Sequence, residues 1–167
     1  MNISNYSPSN NVSSKHQDNM TKIPLKAITN NIIIGSLDCV GNRYELSDHK
    51  VRYVLNLTHS TISPDKSCQI ECFNLPVSSS DFRSMMRQLP KCIKLVDHAV
   101  RNDQNILVCC RNGYTRSLMV IMSYFMIKYN SGYRSVYQKV RDVLGDQISV
   151  TPECERHLMR VSSMITV

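Results

Sequence analysis

Cys110 and Arg116 are the two residues whose types and spacing could do chemistry together, with Gly113 and Ser117 beside them. They stand in Cys110-Arg-Asn-Gly-Tyr-Thr-Arg-Ser117, between two apolar runs. Ile106 to Val108 is short, as a buried strand would be, and Leu118 to Ile127 has the length and Met content of a core helix. The chemistry thus falls in a tight turn that ends at a helix N-terminus. Such an end carries unpaired N–H donors and a partial positive charge, so it attracts anions. A thiol placed there has its pKa lowered, because the dipole stabilises the thiolate. The backbone N–H groups from Arg111 through Asn112, Gly113, Tyr114 and Thr115 to Arg116 can ring a phosphate. Gly113 admits a backbone conformation that a Cβ would block. The guanidinium of Arg116 can grip two phosphate oxygens at once, and Ser117 can donate a hydrogen bond to the sulfur when it leaves. Together these describe a thiolate nucleophile inside a phosphate cradle.

Cys-x5-Arg alone is a weak signal, since composition gives roughly 0.5 such pairs by chance. A second pair does occur, Cys154 to Arg160. It lacks the glycine and lies in a helix opened by Thr151-Pro152-Glu153, so it is set aside. Requiring Gly at the third position and Ser after the Arg lowers the chance rate to about 0.002.

The segment from Cys110 to Ser117 resembles the signature of the cysteine-dependent protein phosphatases, and within them the small dual-specificity branch. Ile28-Thr-Asn-Asn-Ile-Ile-Ile-Gly-Ser-Leu37 is similar to the opening of those domains, and Tyr53-Val-Leu-Asn-Leu-Thr58 to their second strand. Val140-Arg141-Asp followed by Pro152 resembles their C-terminal helices, so the likeness covers about residues 27 to 163. It implies a reaction in two steps. The thiolate of Cys110 displaces the substrate oxygen from phosphorus, and water then cleaves the thiophosphate. It also implies a phosphorylated protein as partner, with phosphotyrosine, phosphoserine and phosphothreonine as substrates, and no cofactor. Arg111 adds a loop charge that could favour phosphoinositides or RNA 5′-phosphates, or could simply face solvent.

Two positions depart from the family pattern. The family's general acid is an Asp ending a Leu-Pro-x-x-Asp-type segment, roughly thirty residues before the nucleophile. Here the segment reads Leu75-Pro76-Val77-Ser78-Ser79-Ser80-Asp81, and the expected position, 31 before Cys110, is Ser79. Serine cannot act as a general acid at neutral pH. Asp81 is either a displaced acid or the cap of the helix that starts at Phe82, and the cap is the simpler reading. Cys109 stands where the family usually has a His that supports the thiolate; as a residue it reads as a small buried side chain. These departures leave two expectations: weak turnover that favours aryl phosphates, or a pseudophosphatase that binds phosphorylated partners.

The elements that must position this site alternate. Strands are expected near Ile32 to Ile34, Val51 to Thr58, Gln69 to Val77 and Ile106 to Val108. Helices are expected over about 38–49, 82–100, 116–129, 132–144 and 152–163. The 82–100 helix shows an apolar stripe at 82, 86, 89, 93, 96 and 100, with Pro90 as a possible kink. The order predicts an α/β domain with a central, mainly parallel sheet flanked by helices, over residues 23 to 167. Residues 1 to 22 are Ser- and Asn-rich and read as a disordered tail. Formal charge is +7, from 20 basic and 13 acidic residues, which suits either solubility or anionic partners. No stretch reaches membrane-spanning length and no secretory leader is evident, so a cytoplasmic or nuclear place is expected. Seven cysteines point to reduced thiols. Cys68 and Cys72 have no matching second pair, so no metal site is expected.

Overall fold

The computed structural model describes residues 24–63, 67–111, 115–148 and 150–165. The expected tail, residues 1 to 22, lies outside the described residues. Five strands form one sheet: β1 (Lys26–Ala27), β2 (Ile32–Ser36), β3 (Val51–Asn56), β4 (Glu71–Asn74) and β5 (Asn105–Cys110). Their order is β1-β2-β5-β3-β4, so β5 is central. β2, β5, β3 and β4 run parallel, and only β1 pairs antiparallel with its neighbour. Such a β5 is covered on both faces, which fits its run of buried residues from Ile106 to Cys110.

Alternation along β5 sends its residues to two different cores. Ile106, Val108 and Cys110 face one cluster, shared with residues of α2 (Phe82–Arg101), α3 (Thr115–Tyr129), α4 (Tyr133–Leu144) and α5 (Pro152–Ile165). Leu107 and Cys109 face the other, with Ile33, Val54 and Leu46 of the short helix α1 (Arg43–Asp48). The two adjacent cysteines therefore lie on opposite faces of the sheet. Helix α3 buries residues almost all round, from Ser117 to Tyr124, so the helix that follows β5 is the core's centrepiece.

Three expectations about elements need correction. Residues 38–49 are not one helix: a 3₁₀ turn, Leu37–Gly41, comes first, and α1 then starts at Arg43. Asn42 makes the break, because its side chain accepts a hydrogen bond from the Glu45 N–H at 3.3 Å and caps the new helix. The strand expected from Gln69 to Val77 is paired only over Glu71–Asn74. In α2 the fully buried stripe is Met85, Leu89, Cys92, Val96 and Ala99, at i, i+4, i+7, i+11 and i+14. Phe82, Met86, Ile93 and Val100 flank it as partly buried residues. Pro90 lies within the helix on the exposed side, where its missing N–H removes one ladder bond without breaking that stripe.

Candidate active site

Cys110 is the last residue of β5, paired in register with Ser36 of β2, and is 1% exposed. It stands at the C-terminal end of the central parallel strand, where open α/β sheets place their ligands. Five residues later α3 begins at Thr115, with Arg116 and Ser117 in its first turn. Arg111 is exposed at the start of the connecting loop. Asn112, Gly113 and Tyr114, expected to complete the phosphate cradle, lie outside the described residues.

Arg116 is half-buried and held by the backbone: its Nη1 donates to the Leu57 carbonyl at 3.1 Å. That carbonyl also accepts from the Val77 N–H at 3.1 Å, and the Leu57 N–H donates to the Cys109 carbonyl at 3.0 Å. One residue past the end of β3, Leu57, thus links the guanidinium, β5 and the start of the segment that carries Ser79 and Asp81.

The support for the backbone around Leu57 was not anticipated from sequence. Asn56, fully buried, donates through Nδ2 to Asn74 Oδ1 at 2.8 Å and to the Ser60 carbonyl. Its Oδ1 accepts from the Thr58 N–H at 2.9 Å and the Thr58 hydroxyl at 2.8 Å. Asn74 in turn exchanges hydrogen bonds with the Ile62 backbone. A buried network satisfied in this way fixes one loop geometry. The only hint in the chain was a polar residue at the end of each of two neighbouring strands, which does not reveal that they pair.

Ser117 is fully buried, and its Oγ has no hydrogen-bond partner among the described residues. A hydroxyl left in that state in the first turn of α3 is one that a charged sulfur or phosphate oxygen could claim. Cys154, set aside above with Arg160 as a chance pair, is buried at the same place: its Sγ donates to the Thr115 carbonyl at 3.8 Å. Burial pushes the Cys154 thiol up to about 12, with Cys110 and Glu155 adding to the shift. Burial likewise pushes up the Cys109 thiol, and the neighbouring Cys110, Cys72 and Cys39 add to it. Cys109 is thus a neutral core residue on the far face of the sheet.

Asp81 is exposed and caps α2: its Oδ1 accepts from the Arg83 N–H at 2.9 Å. Its own N–H donates to Ser78 Oγ at 3.2 Å. Ser79 is half-buried between them. The cap makes a prediction about stability. Asp81→Ala should destabilise the fold by about 1 kcal/mol, whereas Asp81→Asn should change it by only a few tenths, because Asn caps equally well. Denaturant midpoints measure both. Equal losses in the two variants would mean that the carboxylate charge, not the cap, is what matters.

The family model for the dual specificity phosphatase catalytic domain matches residues 32–164. The chain belongs to that family. Among curated relatives, mouse dual specificity protein phosphatase 8 is 25% identical over 120 residues, covering 72% of this chain and 18% of the relative. Human dual specificity protein phosphatase 9 is 27% identical over 112 residues, covering 66% of this chain and 29% of the relative. The chain therefore spans less than a third of the length of these relatives. The solved structure of human DUSP28 superposes with a TM-score of 0.74 at 19% identity, over 87% of this chain and 99% of that one. This dual-specificity phosphatase fold is the mixed sheet described above, mostly parallel with one antiparallel pair. No helix among the described residues is long and apolar enough to cross a membrane.

Proposed function

We propose that the domain is a cysteine-dependent phosphatase that hydrolyses phosphoprotein monoesters, phosphotyrosine faster than phosphoserine or phosphothreonine. The observation that carries this reading is Cys110 at the end of the central strand, with Arg116 anchored in the first turn of α3 by the Leu57 carbonyl. The Cys110 thiolate attacks phosphorus and the ester P–O bond breaks. The departing oxygen leaves with the bonding electron pair, and Arg116 offsets the charge that builds on the phosphoryl oxygens. Water then attacks the cysteinyl phosphate, the P–S bond breaks, and inorganic phosphate departs. Ser117, with its hydroxyl uncommitted, donates to the sulfur as the thiolate re-forms. Arg111, Asn112, Gly113, Tyr114 and Thr115 supply the backbone donors of the cradle. A reducing compartment, cytoplasm or nucleus, suits a nucleophile of this kind, and all seven cysteines are free.

Ser79 sets the substrate order. Phenolate leaves without a proton far more readily than the alkoxides of Ser and Thr. General acid catalysis is worth about 10²–10⁴-fold, so turnover of an aryl phosphate should exceed that of an alkyl phosphate by about 10²-fold or more. Steady-state rates on both substrates measure the ratio, and equal rates would refute a missing acid. In the same assay Asp81→Asn should lose less than about tenfold; a loss of 10²-fold or more would make Asp81 the acid. Ser79 also supports a second reading, a pseudophosphatase that keeps the cradle and binds phosphorylated partners. Phosphopeptide binding with no turnover on either ester would favour it.

A further inference from the structure

Four arginines stand along one edge of the site without a role in the chemistry above. Arg83 and Arg87 are exposed at i and i+4 on the first turns of α2, and Arg156 and Arg160 are exposed at i and i+4 on α5. Each pair shares a helix face, and like charges at that spacing repel. None of the four makes an ion pair among the described residues. Asp81 lines the same surface depression as Arg83, Met86 and Arg87, with its Oδ1 accepting from the Arg83 N–H as the helix cap.

The two pairs are joined. Phe82 packs against His157 with ring centroids 5.2 Å apart, and the Arg160 guanidinium lies 4.9 Å over the Phe82 ring. Stacking fixes the plane of the guanidinium and leaves its N–H edge free for two oxygens. Arg156 and Arg160 line a second depression together with His157. His157 is 7% exposed, and its Nδ1 has no hydrogen-bond partner among the described residues. The two elements that carry this edge reach the first turn of α3 and the anchor of Arg116. Cys154, one turn before His157, touches the Thr115 carbonyl. Val77, five residues before Phe82, shares the Leu57 carbonyl with Arg116.

We propose that the α2–α5 edge is a subsite for acidic residues flanking the phosphorylated residue of a protein substrate, an assignment that rests on the phosphatase reading above. Arginine forks suit carboxylates, which they bind through paired N–H bonds. A single-stranded nucleic acid would need open ring faces on which to stack its bases. Here the Phe82 ring is covered by Arg160 and contacted by His157, so carboxylates of a peptide fit better.

Four peptides of one sequence length test this: phosphotyrosine or tyrosine, each with acidic or with neutral flanks. Binding to the full chain carrying Cys110→Ser is read by fluorescence anisotropy. The acidic phosphopeptide should bind about tenfold tighter than the neutral one, with the difference shrinking as salt is added. Adding Arg156→Glu and Arg160→Glu should bring that ratio to about one, while Arg134→Glu on α4 should leave it unchanged. Circular dichroism checks the fold. Should the reversed pair not fold, Arg83→Gln with Arg87→Gln must lower the ratio at least about threefold. A ratio near one in the parent, or one that survives the arginine changes, overturns the subsite. If phosphate tightens binding and acidic flanks do not, the subsite fails and the cradle stands. If acidic flanks tighten binding and phosphate does not, the subsite stands and the cradle fails. A 5′-phosphorylated oligonucleotide that outbinds the acidic phosphopeptide through these arginines would overturn the choice of partner.

Discussion

Cys110→Ser should abolish turnover of an aryl phosphate, by roughly 10³-fold or more, since removing a member of a catalytic unit costs nearly all that the unit supplies. The geometry makes the effect specific. Cys110 is buried at the end of β5, and serine fits the same space with a slightly smaller side chain, so the fold should persist. Cys109→Ser is the natural comparison. Its thiol faces the opposite core, is held neutral by burial, and cannot reach a phosphate on the Cys110 side. Its replacement buries a hydroxyl among apolar neighbours and should lower stability by about 1–3 kcal/mol. Activity in Cys109→Ser, measured below its unfolding transition, should stay within a small factor of the parent. Loss of activity in both, with the fold intact, would mean that the pair acts together and that the assignment to Cys110 alone is wrong.

Ser79→Asp should raise turnover of alkyl phosphates by about 10²-fold, the lower end of what a positioned general acid contributes. The segment that would carry the new carboxyl is already tethered to the site, because the Val77 N–H and Arg116 share the Leu57 carbonyl. Its backbone is braced by Ser78 Oγ, which accepts from the Asp81 N–H. A carboxylate just ahead of the N-terminus of α2 is electrostatically welcome, so little stability should be lost. The gain on aryl phosphates should be smaller for the first step, where no proton is needed. It should still appear in the second, where the same carboxylate would activate water. An unchanged rate on both esters, with the fold retained, would mean that Ser79 does not face the leaving oxygen.

The proposed nucleophile and clamp could be picked out in the chain because the chemistry they would do is local. Cys110, Arg116 and Ser117 fall within eight residues, and the apolar runs on either side announce the strand and the helix. The parallel sheet followed from the alternation of elements, but β1 did not: two exposed residues carry no periodicity, and only their pairing with Ile33 and Ile34 defines them. Helix α2 was placed almost to the residue, and Leu89 and Val96 of its expected stripe are fully buried, but Phe82, Met86, Ile93 and Val100 lie on the rim of the face that Met85, Cys92 and Ala99 complete. The anchor of Arg116 was invisible because it is a main-chain carbonyl, held by Asn56 and Asn74 from strands that meet only in the fold. Asp81 showed the reverse case: a residue beside the expected acid position has a local structural use that its spacing alone could not separate from a catalytic one.

The central claim is that Cys110 carries the phosphoryl group between two steps, the second slowed by the absence of a base at position 79. With an aryl phosphate the first step needs no acid, so the phosphoenzyme should build up. Rapid mixing should show a burst of aryl oxide stoichiometric with the protein, followed by a slow steady state. Acid quench and mass analysis during that steady state should find one phosphoryl group on the peptide containing Cys110, and none in Cys110→Ser. Sustained turnover with no burst and no phosphoryl group on Cys110 would contradict the account.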